Sequence, residues 1–467
     1  MIAKSPRTRY TFRSRMTDTP QPEPGKLRRT LGPLMLWGLG VGYVISGEYF
    51  GWNLGLKEGG TWAMLVATLV VTIMYVAFTL SYTELACAMP KAGGVFVYAQ
   101  RALGPFWGFL AGLVQIVEFV FAPPAIALAI GAYVQMQFDL DAKFIKLIAV
   151  LVFLMFVGLN AWGVRQAALF ELVVTVLAVG GLLLFICLVA PHFEFANLSL
   201  NPDPADWKDP GWIGVFKCLP FAIWFYLAIE GVANVAEEAR DPQRTVAIGF
   251  SSAILTLVVL ALAVFILSVG VNGWETVIPP KEEGATDAPL LLAFNHVMEG
   301  KSGSLYPTCW QVLWGVGLIG FIASLNGIIL AGGRATMEMG RSGFLPQILG
   351  RISATTQTPM VALGLNTIIG IIVILLFGTD EILVFAAFGA VSLYVISMWA
   401  LFVLRQKEPD LERPFRAVGY PLLPSLALII AAVAGIGMAI TNGMIAAIFV
   451  GILILGSAYF FATHRED

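Results

Sequence analysis

Gly38-Leu39-Gly40-Val41-Gly42-Tyr43-Val44-Ile45-Ser46-Gly47-Glu48-Tyr49-Phe50-Gly51 decides how this chain folds. The stretch is apolar apart from one carboxylate, yet it holds five glycines. Each glycine disfavours helix by up to about 1 kcal/mol relative to alanine, so this density demands close packing or local unwinding. Glu48 lies halfway through the apolar run. An ionised carboxylate is expensive there and marks a functional position more often than a protonated packing residue. Trp224-Phe225-Tyr226-Leu227-Ala228-Ile229-Glu230-Gly231-Val232 repeats the pattern, with a carboxylate and a glycine inside a second apolar run. Close-packing small-residue helices would account for the glycines alone. The glutamates favour interrupted helices, whose bared N–H and C=O groups line a polar site rather than lipid.

The rest of the chain supports a membrane setting. It has 467 residues, 58% hydrophobic and 12% charged. Soluble domains carry about 25% charged residues, so these charges are too few to coat a water-exposed surface. Apolar runs of about 20 residues, each sufficient to cross a hydrocarbon core, recur from end to end. The expected spans are 31–57, 62–88, 104–137, 144–162, 166–190, 213–237, 245–272, 307–338, 360–377, 380–404, 421–441 and 443–463. This predicts an all-α membrane protein of about twelve helices. Its parts are a disordered cytoplasmic tail 1–30, a first five-helix repeat 31–190, an extracellular loop 191–212 and a second repeat 213–404. A cytoplasmic loop 405–420, two C-terminal helices within 421–463 and a short cytoplasmic tail 464–467 complete the chain. A second outward loop, 273–306, contains a predicted short helix at Ala288–Glu299.

Basic residues orient these spans. With the tail inside, 21 of the 28 Lys and Arg fall on the cytoplasmic side. Lys57, Lys143, Lys146, Lys208, Lys217, Lys281 and Lys301 fall outside. This bias places both termini in the cytoplasm and the protein in the plasma (inner) membrane. Cys87, Cys187, Cys218 and Cys309 show no metal-ligand spacing and are predicted free thiols. His192, His296 and His464 are far apart, so neither a metal site nor a hydrolase triad is expected. Neither a cofactor motif nor a nucleophile–base pair supports an enzyme, and no nucleic-acid partner is expected.

Several motifs together carry a family resemblance. They are Val41 through Phe50, Glu84-Leu85 through Pro90-Lys91-Ala92-Gly93-Gly94, Ala236-Glu237-Glu238-Ala239-Arg240-Asp241-Pro242-Gln243-Arg244, and Gly333-Arg334 through Gly343-Phe344-Leu345-Pro346. In this order they resemble the amino acid–polyamine–organocation superfamily. The resemblance implies a LeuT-like 5+5 inverted repeat with helices 1 and 6 unwound at mid-membrane. It also implies amine or amino-acid substrates. Ser46-Gly47-Glu48-Tyr49-Phe50-Gly51-Trp52-Asn53 is most similar to the ethanolamine permease branch.

Two departures refine that expectation. Glu48 stands where the family motif has a glycine that leaves amides open to a substrate carboxylate. Like charges at close range repel, so Glu48 suits a cation without a carboxylate, such as ethanolamine. Ala178 stands where some proton-coupled relatives carry a lysine. The expected activity is alternating-access import of a small amine, with an amino-acid or polyamine transporter or exchanger as the alternative. Uniport and proton symport both fit this expectation, with a proton as the candidate coupling ion and sodium as the other. Oligomeric state is not legible.

The candidate substrate site comprises Ile45, Ser46, Gly47, Glu48, Gln115, Glu118, Trp224, Tyr226, Ala228, Glu230 and Gly231. Glu48 or Glu230 would neutralise the ammonium. Ile45 would offer its carbonyl, and Ser46 or Gln115 would meet the hydroxyl. Gln115 and Glu118 are three residues apart and share a helix face. Glu118 and Glu230 are the candidate proton carriers, each with a structural carboxylate as the competing reading. Trp224 is the expected gate, because an aromatic face over an ammonium contributes about 0.5–2 kcal/mol. Ser324 and Asn326 are read as polar glue between helices. Glu84, Glu237, Glu238, Arg240, Arg334 and Arg341 are expected to form cytoplasmic gate or structural ion pairs. Glu171 has no assignment.

Overall fold

The computed structural model describes residues 29–91, 93–162, 167–199, 210–278, 287–298, 305–356 and 358–464. Most of the tail expected at 1–30, parts of both outward loops and residues 465–467 lie outside them.

In chain order the helices are α1 Pro33–Val44, α2 Ser46–Tyr49, α3 Leu54–Ala88, α4 Val95–Leu103, α5 Pro105–Phe138, α6 Phe144–Trp162, α7 Ala167–Val189 and α8 Trp212–Trp224. Then come α9 Pro242–Asn272, α10 Pro289–Met298, α11 Leu305–Arg341, α12 Met360–Leu376, α13 Thr379–Lys407, α14 Leu422–Thr441 and α15 Gly443–Thr463. A 3-10 helix, Ile229–Glu238, follows α8. Ten segments among the described residues are long and apolar enough to cross a membrane, and α1 and α12 are shorter apolar helices. Thus ten such segments stand against the twelve read from the sequence. The difference lies in α1, whose apolar run is cut short, and in α12, which has only 17 residues.

The first apolar run does not form one helix. α1 stops at Val44, α2 lasts four residues, and Phe50 is extended at φ −157°. Gly51 then takes φ +89°, a conformation that a side chain would strain. The chain turns and enters α3, which is kinked at Gly60. The other interruption follows Trp224, where residues 225–228 leave the α-helix and Ala228 adopts φ +78°. A left-handed conformation at a residue with a Cβ costs about 1–3 kcal/mol and persists only where surrounding bonds impose it.

The core forms where helix faces meet. α5 packs against α6, α11 and α13, α1 against α7 and α9, and α3 against α8. The opposite faces of peripheral helices are apolar and exposed. Ile429, Val433, Ile436 and Ile440 form such a stripe on α14, as do Leu147, Leu151 and Met155 on α6. Exposed apolar stripes on a helical bundle are the surface a bilayer solvates.

One ionic cluster closes the α3–α13 end. Glu84 is 1% exposed and accepts the Nε and Nη2 donors of Arg405. It also pairs with Arg413 Nε at 3.1 Å and accepts the Ala417 amide at 2.6 Å. Removing one partner of a buried pair strands the other and costs about 3–5 kcal/mol. Glu84→Ala is expected to lower the thermal midpoint markedly in detergent, followed by tryptophan fluorescence. Glu408→Ala, which removes an exposed pair with Arg101, should cost at most about 1 kcal/mol. Equal effects would refute the assignment of the buried cluster as a structural clamp.

Candidate functional site

The two interrupted helices touch at their breaks. A Cβ on Gly47 would run into the carbonyl oxygen of Trp224, so only glycine lets the α2 backbone approach α8 this closely. Ser324 of α11 stitches the first break: its hydroxyl donates to Gly42 O at 2.7 Å and accepts the Ser46 amide at 2.9 Å. Glu118 of α5 serves the other break, with Oε1 accepting the Ala228 amide at 3.1 Å. These bonds satisfy backbone groups that helix interruption would otherwise strand.

The buried acids separate by their partners. Glu118 and Glu230 interact directly between α5 and the 3-10 helix, while Glu118 Oε2 and Glu230 Oε1 have no hydrogen-bond donor among the described residues. Glu230 Oε2 also accepts the Tyr394 hydroxyl at 3.1 Å, and Tyr394 meets Tyr75 at 2.8 Å. Both acids are therefore bonded to protein groups. Glu48 differs: its side chain is fully buried and neither carboxylate oxygen has a hydrogen-bond partner among the described residues.

The other candidates distribute around these acids. The Ile45 carbonyl accepts the Glu48 amide at 3.1 Å, so one of its lone pairs is already used. Gln115 donates to Asn234 Oδ1 at 3.4 Å, tying α5 to the 3-10 helix. Gly231 packs against the Tyr43 ring. Trp224 sits edge-on to Phe50 at 5.5 Å, beside Gly51, with its indole N–H unpartnered. The Tyr226 hydroxyl bonds Thr72 at 2.7 Å, and its ring lies 5.0 Å from Tyr75. Sequence reasoning missed Thr72, Tyr75 and Tyr394, because α3 and α13 carry no interruption or isolated charge at those positions.

Bridging contacts flank the two breaks. At one end Arg334 pairs with Glu238 at 2.8 Å, and the Thr30 and Leu31 amides donate to Glu238 O. Arg240 returns its amide to Leu31 O and its Nε to Thr30 O. Arg341 pairs with Glu338 at 3.0 Å on its own helix. At the other end Asn53, just past the first break, donates to Val277 O at 2.9 Å and to Asp287 Oδ1 at 2.7 Å. Among the described residues no group of three or more His, Cys, Asp or Glu is placed to hold a metal.

Apolar helices of spanning length, a pair of broken helices and buried acids at the breaks define a multi-pass membrane transporter. The amino acid permease family model matches residues 31–461. An uncharacterised transporter from Rhizobium meliloti is 31% identical over 433 residues, covering 89% of this chain and 88% of its own. The branched-chain amino acid permease BcaP of Bacillus subtilis is 23% identical, covering 86% of each chain. The methylthioribose transporter of the same organism is 24% identical, covering 88% of this chain and 89% of its own. The chain belongs to the amino acid permease family, a family of transporters and not of enzymes.

Asp287 lies outside the spanning helices, and desolvation lifts its pKa from 3.8 to about 6, partly offset by the Asn53 donor. The folded chain thus holds this proton more tightly than the unfolded chain. The stability it confers is complete below about pH 3.8 and is lost as pH rises through about 6. Asp287→Asn stays neutral and should abolish that loss, by up to about 3 kcal/mol at neutral pH. Thermal unfolding of both proteins across this range checks it. Parallel pH profiles would show that Asp287 is not the group responsible.

Proposed function

We propose that this permease imports a small organic amine, ethanolamine being the best fit, by alternating access. The observation that carries the reading is Glu48, a buried carboxylate at a helix break with both oxygens unpartnered. A stranded buried charge of this kind is costly unless a cation arrives to meet it. An ammonium supplies that charge and three N–H donors. The second lone pair of the Ile45 carbonyl is a further acceptor, and Trp224, Phe50 and Tyr226 supply aromatic faces. Ser46 or Gln115 would meet the hydroxyl. Gly47, Ala228 and Gly231 would keep the backbone close. A substrate carboxylate would meet Glu48 as a like charge.

Glu118 and Glu230 serve this reading as a carboxyl pair that braces the second break and can exchange a proton, rather than as direct ammonium partners. Trp224 would cover the occupied site, and α1–α2 and α8 with its 3-10 extension would rock against the α5–α11 scaffold. In this picture α1–α2 and α12 also span, which makes twelve crossings in a LeuT-like 5+5 repeat plus α14 and α15. The Lys and Arg bias puts both termini in the cytoplasm. Inward movement of a cation then gains about 2.3 kcal/mol per 100 mV of membrane potential.

The second reading is an amino-acid or polyamine carrier, favoured by the branched-chain amino acid named for one relative. The methylthioribose named for another lacks a carboxylate, so the family accommodates such substrates. Purified protein in liposomes separates the readings. Labelled ethanolamine should enter saturably and show counterflow. Glu48→Gln should weaken its apparent affinity about 10- to 100-fold, the loss of a charged hydrogen bond of about 1.5–3 kcal/mol. Tight binding of leucine or putrescine with indifference to ethanolamine would overturn the substrate, and an unaltered Glu48→Gln affinity would overturn the role of Glu48.

A further inference from the structure

α5, α13 and α15 do not close completely against one another. A crevice of about 350 Å³, counting its open mouth, lies between them, and Phe377 at the end of α12 completes its wall. Its inner end is aromatic. Phe121 of α5 stacks on Phe385 of α13 at 4.2 Å, and Phe449 of α15 stands edge-on to Phe385 at 6.0 Å. Ile445 and Ile448 of α15 form the facing side, and Glu381 lines the mouth. From Glu381 to Phe385 is about one turn of α13, roughly 6 Å. One turn further along, Gly389 closes the gap: a Cβ there would lie 2.9 Å from the Glu118 amide nitrogen and from the Val114 carbonyl oxygen. The close α5–α13 contact that seats Glu118, and through it the Ala228 amide, thus begins where the crevice ends.

The mouth carries charge of both signs. Asp380 and Glu381 are exposed in the first turn of α13, and among the described residues neither pairs with a Lys or Arg. Glu381 Oε2 accepts the Gly378 amide at 3.0 Å. Lys146 of α6 reaches the last turn of α12, where its ammonium donates to Leu375 O at 2.9 Å and keeps two further N–H donors. Lys143, by contrast, is paired with Asp141 at 2.7 Å.

Bilayer tails fill such a crevice, because a gap forfeits dispersion contacts on every side chain that lines it. Tail burial alone selects no lipid, since the surrounding hydrocarbon is equally apolar. Selection therefore falls to the mouth. An anionic headgroup meets Asp380 and Glu381 as like charges. A headgroup with a phosphate and a primary ammonium finds a partner for each sign, and its ammonium brings three N–H donors that a trimethylammonium lacks.

We propose that this crevice is a binding site for a phospholipid with a primary-ammonium headgroup. The ammonium meets Asp380 and Glu381, the phosphate meets Lys146, and the upper part of one tail lies against Phe121 and Phe385. The occupied crevice braces the α5–α13 contact from which Glu118 holds the second break. The effect on transport rests on the reading above, while the lipid site itself does not.

Native mass spectrometry of the purified full chain, titrated with dioleoyl lipids in detergent, tests the site. Phosphatidylethanolamine should bind about fivefold tighter than phosphatidylglycerol or phosphatidylcholine, the scale of one exposed ion pair. Asp380→Asn combined with Glu381→Gln should abolish that preference. Ile445→Trp, which fills the crevice, should weaken all three lipids, and Ile448→Trp serves if it does not fold. Equal affinity for the three lipids, or a preference that survives in the double variant, overturns the site. Tighter phosphatidylglycerol binding that Lys146→Gln removes overturns it in favour of an anionic lipid. Thermal stabilisation by free ethanolamine that the double variant removes overturns it in favour of a soluble amine. In liposomes, exchanging phosphatidylcholine for phosphatidylethanolamine should raise ethanolamine counterflow several-fold in wild type and leave the double variant unchanged. No rise in wild type, or an equal rise in both, overturns the bracing. If wild type carries neither ethanolamine nor leucine, the transport reading fails, and mass spectrometry still decides the lipid site.

Discussion

Backbone that leaves the helix inside an apolar medium must find its hydrogen bonds within the protein, and the rest of this structure depends on that constraint. Two helices stop short, one after Val44 and one after Trp224. Ser324 and Glu118 supply the missing partners from α11 and α5. Both partner side chains come from helices outside the broken pair. A break therefore exists only as long as the surrounding helices hold it, and any movement of α11 or α5 is felt at the breaks.

The same constraint sorts the buried acids. Glu84 is surrounded by arginines and a backbone amide, which satisfy its oxygens and make it a clamp. Glu118 and Glu230 each have one oxygen met, by a backbone amide and by a tyrosine hydroxyl, and one left without a partner. Only Glu48, among these acids, has both oxygens without hydrogen-bond partners, while Glu171 like Glu118 and Glu230 has one such oxygen. Burial alone does not distinguish these residues. What separates an architectural carboxyl from one poised for a cation or proton is whether the protein already meets its oxygens.

Closure at the two ends uses different chemistry. One end is tied by ion pairs and by backbone pairing of Thr30 and Leu31 with Glu238 and Arg240. The other is tied, among the described residues, by Asn53, which bonds both Val277 and Asp287. The Arg334–Glu238 pair at the first end is largely buried, so salt screens it little. The asparagine latch responds instead to protonation of one carboxyl.

Length, apolar runs and sparse charge determined the helical membrane character, because a spanning helix must be apolar over about 20 residues whatever its neighbours are. The glycine-rich run at 38–51 and the Glu230 run determined where to look for the site, since glycine and carboxylate are conspicuous in such segments. Helix interruption shortened α1 below spanning length, which hydropathy averaged over residues 31–57 does not register. Only the tertiary structure decided which acids are paired. Glu118 and Glu230 are 112 residues apart in the chain and Glu171 meets helices more than 100 residues away, so no spacing rule relates them. Hydrogen-bond partnership is a property of packed helices, whereas hydrophobicity belongs to each segment alone.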